Sequence, residues 1–255
     1  MFNKTELSTI VENPCFGSMP PIALDKDHMS VLIAVDTSGS VQGEPLRSIN
    51  DCLNRFKASV CEDAIAARCV DVCVISFDDT VRVIQDWCPI RDMQPMQLEC
   101  GGMTDLNGAV LTGIEKIRER SRVYALQGIR ERKPYLVLLT DGGDTVTGNV
   151  YEAADRVGER VSKGKMKLFF LGFGCYDKRV AAQLAIKGRW FFGVENGDTN
   201  YWDFFDFAAN SLKVESSKDP GQPTHVETAV GTPESNVKAF SADAFFDQDP
   251  MVDWN

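Results

Sequence analysis

The stretch Val31-Leu-Ile-Ala-Val-Asp-Thr-Ser-Gly-Ser40 decides the fold. Five apolar residues run together and drop, without a spacer, into one acid and three hydroxyls. A continuous apolar run of this length reads as a strand covered on both faces, the condition of the centre of a parallel sheet. The polar cluster at its end is then where a site would be built.

Outward from this strand, over 30–36, the pattern alternates between strands and helices. After Pro45, which suits a first helical turn, Leu46, Ile49, Leu53, Phe56 and Val60 recur at three- and four-residue spacing. Val70-Asp-Val-Cys-Val-Ile-Ser-Phe77 is a second strand. Asp78-Asp79 turns it into Val81-Arg-Val-Ile-Gln-Asp86, close enough to pair antiparallel as an edge hairpin. Val110, Leu111, Ile114 and Ile117 make one face of a second helix that Asn107 can cap. Strand 135–139, a helix at about 149–163, strand 167–173, a helix near 177–187, the short strand 190–192 and a closing helix at about 201–213 complete the series. Repeated strand–helix units imply an α/β fold. It is doubly wound and Rossmann-like, a mostly parallel sheet with right-handed crossovers, one antiparallel edge strand and helices on both faces. The aromatics Phe169, Phe170, Trp190, Phe191 and Phe192 sit in short apolar strands and read as core.

Both ends differ from this centre. Residues 1–28 are interrupted by Pro14, Pro20 and Pro21 and read as an N-terminal arm; 29–213 form the domain. Residues 214–255 have the composition of a flexible acidic tail, with eight acids against two lysines from Glu215 onward. Phe240, Phe245, Phe246, Met251 and Trp254 alternate there with Asp243, Asp247, Asp249 and Asp253, the pattern of a short docking segment. A carboxylate of this tail could also cap a metal in the domain.

Length and charge bound the function. The chain of 255 residues is long enough for one α/β domain with a full core. Its net charge of -10 argues against nucleic acid or an anionic membrane as a partner, since both need a basic face. The first ten residues lack the apolar stretch of a leader, and no segment approaches the ~18 apolar residues of a membrane span, so a soluble, cytoplasmic protein is expected. Eight cysteines are scattered through a chain that can bury its own core. With only two histidines, His28 and His225, and no Cys-x-x-Cys pair, they read as small hydrophobes rather than staples or a zinc site. Cys69 and Cys73 lie four apart on one expected strand.

In an open α/β sheet, ligands bind at the carboxyl ends of the strands. Three segments qualify: Asp36-Thr-Ser-Gly-Ser40, Gly101-Gly-Met-Thr-Asp-Leu106 and Thr140-Asp-Gly-Gly-Asp144. They offer two carboxylates, Asp36 and Asp141, and three hydroxyls, Ser38, Ser40 and Thr104, all oxygen donors. Mg²⁺ prefers such a hard set, and two carboxylates balance its charge; Mn²⁺ accepts the same ligands. An uncommitted coordination position would attract an Asp or Glu from a protein partner. Asp105 and Asp144 adjoin the motif but have turn and capping roles of their own.

These residues resemble the von Willebrand factor A (vWA) domains, whose metal-ion-dependent adhesion site is written Asp-x-Ser-x-Ser, then Thr, then Asp. Asp36, Ser38 and Ser40 match the first element, Thr104 the second and Asp141 the third, and the resemblance spans about residues 28–213. It implies that the Ser and Thr hydroxyls touch the metal while the two Asp act mainly through bound waters or alternate with Thr as ligands. Gly43-Glu-Pro45, the Gly-Gly-x-Thr-x-Leu string and Leu-Leu-Thr-Asp-Gly142 are most similar to the bacterial TerY-like branch, associated with tellurium resistance. That branch implies stress-response or signalling assemblies with a protein kinase and a PP2C-type phosphatase. Some of its members carry a Cys-rich metal-binding domain that is missing from this sequence.

Enzymatic alternatives fit less well. The haloacid-dehalogenase pattern needs a second Asp two residues after Asp36, where Ser38 stands. The 158–165 segment has one residue too many for a phosphate loop, Gly172-Phe-Gly174 lacks the third glycine of a dinucleotide turn, and there is no Gly-x-Ser-x-Gly elbow. His28 and His225, both placed outside the core, are poor catalytic bases. The expectation is a metal-dependent protein–protein interaction module and not an enzyme. A Mg²⁺-dependent phosphohydrolase using Asp36, or a scaffold whose metal is purely structural, stands as the alternative. Partner, pathway and oligomeric state are not legible.

Overall fold

The apolar run becomes β1 (Met29–Asp36), every residue of which is buried. It lies at the centre of a computed structural model that describes residues 27–194, 197–218, 226 and 228–246. The other strands are β2 (Val70–Phe77), β3 (Val81–Pro89), β4 (Tyr135–Thr140), β5 (Lys167–Gly172), β6 (Trp190–Val194) and β7 (Val237–Ser241). They form one sheet in the order β3-β2-β1-β4-β5-β6-β7. From β2 through β6 the neighbours run parallel, whereas β3 and β7 are antiparallel edges.

The helices are α1 (Glu44–Cys61), α2 (Ala66–Cys69), α3 (Leu106–Leu126), α4 (Tyr151–Ser162), α5 (Lys178–Ala185), α6 (Trp202–Ser217) and α7 (Asp243–Phe246). Alternation along β1 divides the core in two. Val31, Ile33 and Val35 pack with α1 and α6, while Leu32 and Ala34 pack with α3, α4 and α5. Helix α1 starts with Pro45 in its first turn and buries Leu46, Ile49, Leu53, Phe56 and Val60, the face its spacing predicts. Each such side chain contributes roughly 1.5–3 kcal/mol when fully buried. Phe56 meets Phe205 of α6 edge-on, which ties the two helices on that face.

The second antiparallel edge corrects the expectation of one. All five residues of β7 pair with β6, Trp190 opposite Ser241 through Val194 opposite Val237. They fall inside the stretch read as a flexible tail. Val-Lys-Ala-Phe-Ser alternates weakly and is surrounded by Pro, Gly and acids, so composition hides it. Physically, β7 covers the apolar flank of β6, which would otherwise be an exposed sheet edge. The later tail residues Asp247, Asp249, Met251, Asp253 and Trp254, most of the arm at 1–26, and His225 lie outside the described residues.

Other local expectations also move. Cys69 closes α2, and only Cys73 lies on β2. The 158–165 segment forms the end of α4 and the turn after it. Asn107 does not cap α3 but sits inside it, where its Oδ1 accepts from Ala153 N at 3.1 Å; the cap is Asp105, which accepts from Gly108 N at 2.8 Å. His28 is buried, not outside the core: its Nδ1 lies 3.0 Å from Asp71 Oδ2. Trp190 is the exception to the aromatic core, with 60% of its surface exposed.

The sheet is not continuous from end to end. β5 and β6 pair only at Leu171–Phe192 and Gly172–Gly193, so the strands splay apart toward their starts. Tyr176 lies across the paired seam. A Cβ at Gly172 would overlap its ring and one at Gly193 its hydroxyl, which explains a glycine at each of these paired positions of the adjacent strands. Among the described residues, no helix is long and apolar enough to cross a membrane, and Cys52, Cys61, Cys69, Cys73, Cys88, Cys100 and Cys175 are free thiols.

Candidate metal centre

The strand order reverses between β1 and β4, and both strands end in the polar segments singled out by the sequence. Their register sets Val35 beside Leu139, so Asp36 and Thr140 leave the sheet side by side. Thr140 Oγ1 donates to Asp36 Oδ2 at 2.6 Å, and Ser38 N donates to Asp36 Oδ1 at 2.9 Å. The carboxylate is thus held from both oxygens, and each oxygen keeps a lone pair. Ser38 Oγ lies 3.1 Å from Ser40 Oγ, and Ser40 Oγ donates to Asp141 Oδ1 at 3.0 Å. Hydrogen bonds therefore link Asp36, Ser38, Ser40 and Asp141 in series, through Ser38 N at the first step.

Thr104 comes in on a third segment. Gly39 N donates to Gly102 O at 3.1 Å and Gly101 N to Thr37 O at 2.9 Å, which clamps 101–102 against the loop after β1. Gly102 has φ +80, and a Cβ there would sit 3.0 Å from Asp79 Oδ1, so the turn needs glycine. Thr104 N donates to Thr145 Oγ1 and Thr104 O accepts from Thr145 N, both at 2.9 Å, fastening this segment to the loop after β4. The three segments, spread over about a hundred residues of sequence, are laced together.

Several residues of this lacing carried no signal of their own. Thr37 is buried and both its N and Oγ1 donate to Phe77 O, at 2.8 and 3.1 Å, fixing the loop to β2. Thr140, one residue before Asp141, was visible only as part of a string. Asp144 accepts from Asn107 N, Thr147 N, Thr147 Oγ1 and Gly148 N, so it organises the loop rather than facing outward. Asp105 is spent on capping α3.

Electrostatics favour a cation at this place. Burial raises the pKa of Asp36, against the hydrogen bonds from Thr140 and Ser38, and the charge of Asp141 adds to the rise. Burial likewise raises Asp141, opposed by Ser40. Two neighbouring carboxylates, one buried and one half-buried, are stabilised by any positive charge brought between them. Among the described residues, no group of three or more His, Cys, Asp and Glu is gathered for a metal. Any ion here must therefore draw on hydroxyls, and the set of two carboxylates and three hydroxyls fits a small hard divalent cation.

A family model described as the von Willebrand factor type A domain matches residues 30–206. The chain belongs to the vWA family. vWA domains commonly mediate protein–protein interaction or adhesion and bind a divalent metal at the adhesion site. No curated protein sequence matches the chain. Among solved structures, the pilus adhesin SpaC from Lactobacillus rhamnosus GG superposes with a TM-score of 0.58 at 11% identity, over 74% of this chain and 30% of that one. A von Willebrand factor type A protein from Catenulispora acidiphila gives 0.51 at 15% identity, over 74% and 43%. Proximal thread matrix protein 1 from the mussel byssus gives 0.51 at 17%, over 73% and 48%. At these identities the likeness is one of fold. The chain spans less than half the length of each of the three.

Proposed function

We propose that this vWA domain is a divalent-metal-dependent protein–protein interaction module. Ser38, Ser40 and Thr104 would hold Mg²⁺ or Mn²⁺ directly, with Asp36 and Asp141 supplying charge and orientation. The observation that carries this reading is the run of hydrogen bonds from Thr140 through Asp36, Ser38 and Ser40 to Asp141, assembled at the switch point of the sheet. The ion supplies an electrophilic position that a partner's Asp or Glu completes. Around it, Met103 is 54% and Val146 41% exposed, each adjoining the Thr104 anchor, and such an apolar rim suits a protein partner.

Binding is favoured over catalysis because both oxygens of Asp36 are already engaged by Ser38 and Thr140, which position the carboxylate rather than expose it for attack. The resemblance to the TerY-like branch suggests the partner class: a protein kinase and a PP2C-type phosphatase in a bacterial stress-response or signalling assembly, with a cytoplasmic location. The test is capture of partner proteins on the immobilised full chain in Mg²⁺ and in chelator. Partners retained in Mg²⁺, released by chelator and lost with Asp36→Ala support the reading. Equal capture by the folded Asp36→Ala chain would sink it.

A further inference from the structure

The end of the sheet opposite the metal centre holds an opening that the interaction site does not use. Below Leu171–Phe192, β5 and β6 no longer pair, and the wedge between them is a cavity of about 250 Å³. Phe169, Phe192 and the exposed Trp190 line it with ring surface, and Lys133, Lys167 and Arg189 stand around it. Its volume is below the ~300–1,000 Å³ of drug-sized ligand sites, which fits a side-chain anchor better than a cofactor.

The charge around this opening runs against that of the chain as a whole, which is -10. Lys167 is neutralised by Glu215, at 2.9 Å. Among the described residues, Lys133, Lys165, Lys187 and Arg189 have no acidic partner. Burial lowers the pKa of Lys167, and the neighbouring Lys218 and Lys133 add to the fall against Glu215, as excess positive charge requires.

β7 and α7 lead the chain to this opening. Ser241 lies opposite Trp190, Ala242 N donates to Arg189 O at 2.9 Å, and Asp243 Oδ1 accepts from Gly188 N at 2.9 Å. Residues 247–255, Asp-Gln-Asp-Pro-Met-Val-Asp-Trp-Asn, follow directly from α7. They carry three aspartates, no lysine or arginine, and the apolar Met251, Val252 and Trp254. Nine extended residues reach about 30 Å, ample for a site that begins at Arg189. The same path starts this segment at the opposite end of the sheet from Asp36, against a role as a cap on the metal.

We propose that residues 247–255 of the same molecule dock into the opening between β5 and β6, with Trp254 and Met251 in the aromatic cavity and the aspartates on Lys133 and Arg189. This is a peptide-recognition site for an acidic, aromatic segment, separate from the metal centre. A partner protein bearing a similar segment would have to compete with it.

The experiment uses the full chain. Carbodiimide joins a lysine ammonium to a carboxylate only when they touch, and a mixture of ¹⁴N- and ¹⁵N-labelled chains separates links within a molecule from links between two. The expected result is an intramolecular link from Lys133 to Asp249 or Asp253. Trp254→Ala should abolish it, and amide exchange at 187–191 should become about tenfold faster in that variant. Far-UV circular dichroism and Mn²⁺ binding at the distant site should stay unchanged in the variant, which excludes global unfolding. Arg189→Glu should weaken the link, and adding Asp253→Lys to it should restore protection at 187–191. Links that are isotopically mixed would assign the opening to a second copy and overturn the proposal. So would the absence of any link together with unchanged exchange in Trp254→Ala.

Discussion

Replacing Asp71 with alanine should be among the most costly single changes in this fold. Asp71 is at the start of β2, beside Ser30 in register and far from the metal centre. It is 1% exposed, and its Oδ2 accepts from His28 Nδ1 at 3.0 Å, Arg120 Nη2 at 2.8 Å and Tyr124 Oη at 2.5 Å. Arg120 has no exposed surface. Removing the carboxylate breaks a buried ion pair at one partner, and such a loss costs about 3–5 kcal/mol. That is a large fraction of the roughly 5–15 kcal/mol that keeps a domain folded.

The pH dependence of Asp71 can be worked out. Burial pushes its carboxyl up, but the hydrogen bond from His28, the Arg120 charge and the Tyr124 hydroxyl outweigh it, and the net shift is downward. A carboxyl depressed in the folded state contributes stability above its unfolded value of about 4 and loses it as pH falls through the folded value. Urea unfolding of the wild type and of Asp71→Asn, followed by tryptophan fluorescence from pH 7 to 3, is the assay. The wild type should lose stability more steeply below pH ~4, and Asp71→Ala should lose about 3–5 kcal/mol at pH 7 with Mn²⁺ binding unchanged. A loss below about 1 kcal/mol would refute the reasoning, since it would mean that Arg120 is not held by this carboxylate.

Gly193→Ala should cost about 1–3 kcal/mol by forcing Tyr176 off the β5–β6 seam, and the cost should shrink in a Tyr176→Phe background, as a double-mutant cycle by urea unfolding would show. Thr140→Val should weaken Mn²⁺ binding in calorimetry, because Asp36 loses the donor that orients it. Asp36→Asn should raise the melting temperature of the chelator-treated chain at pH 7. Its carboxyl is raised in the folded state, so its stabilising contribution is present at low pH and is lost as pH rises through that raised value. Acidification of the chelated wild type should likewise stabilise it relative to the variant, measured by the same melts.

The parts of the molecule that the sequence made legible are those in which one local pattern decides the outcome. The uninterrupted run 31–35 can only be a strand covered on both faces, and Leu46 through Val60 can bury one face only as a helix. The candidate metal residues could be singled out because a site at a switch point draws its donors from strand ends, where Asp36, Ser38, Ser40, Thr104 and Asp141 put oxygens. What stayed hidden depends on contacts between distant segments. Asp71 looked like the polar member of an alternating strand, although Arg120 and His28 meet it from 49 and 43 residues away. β7 has too weak a pattern to outweigh its surroundings and is a strand because β6 offers an open edge. Asp105 capped α3 in place of Asn107 because the turn after Thr104 fixes where the helix begins.

The proposed interaction depends on a divalent ion held by Asp36, Ser38, Ser40, Thr104 and Asp141. Titration calorimetry of the full chain with Mn²⁺ and Mg²⁺, beside Asp36→Ala checked for fold by circular dichroism, tests it most directly. About one ion should bind per intact chain and none to the variant. Saturable binding of equal affinity in Asp36→Ala, or none to the intact folded chain, would contradict it.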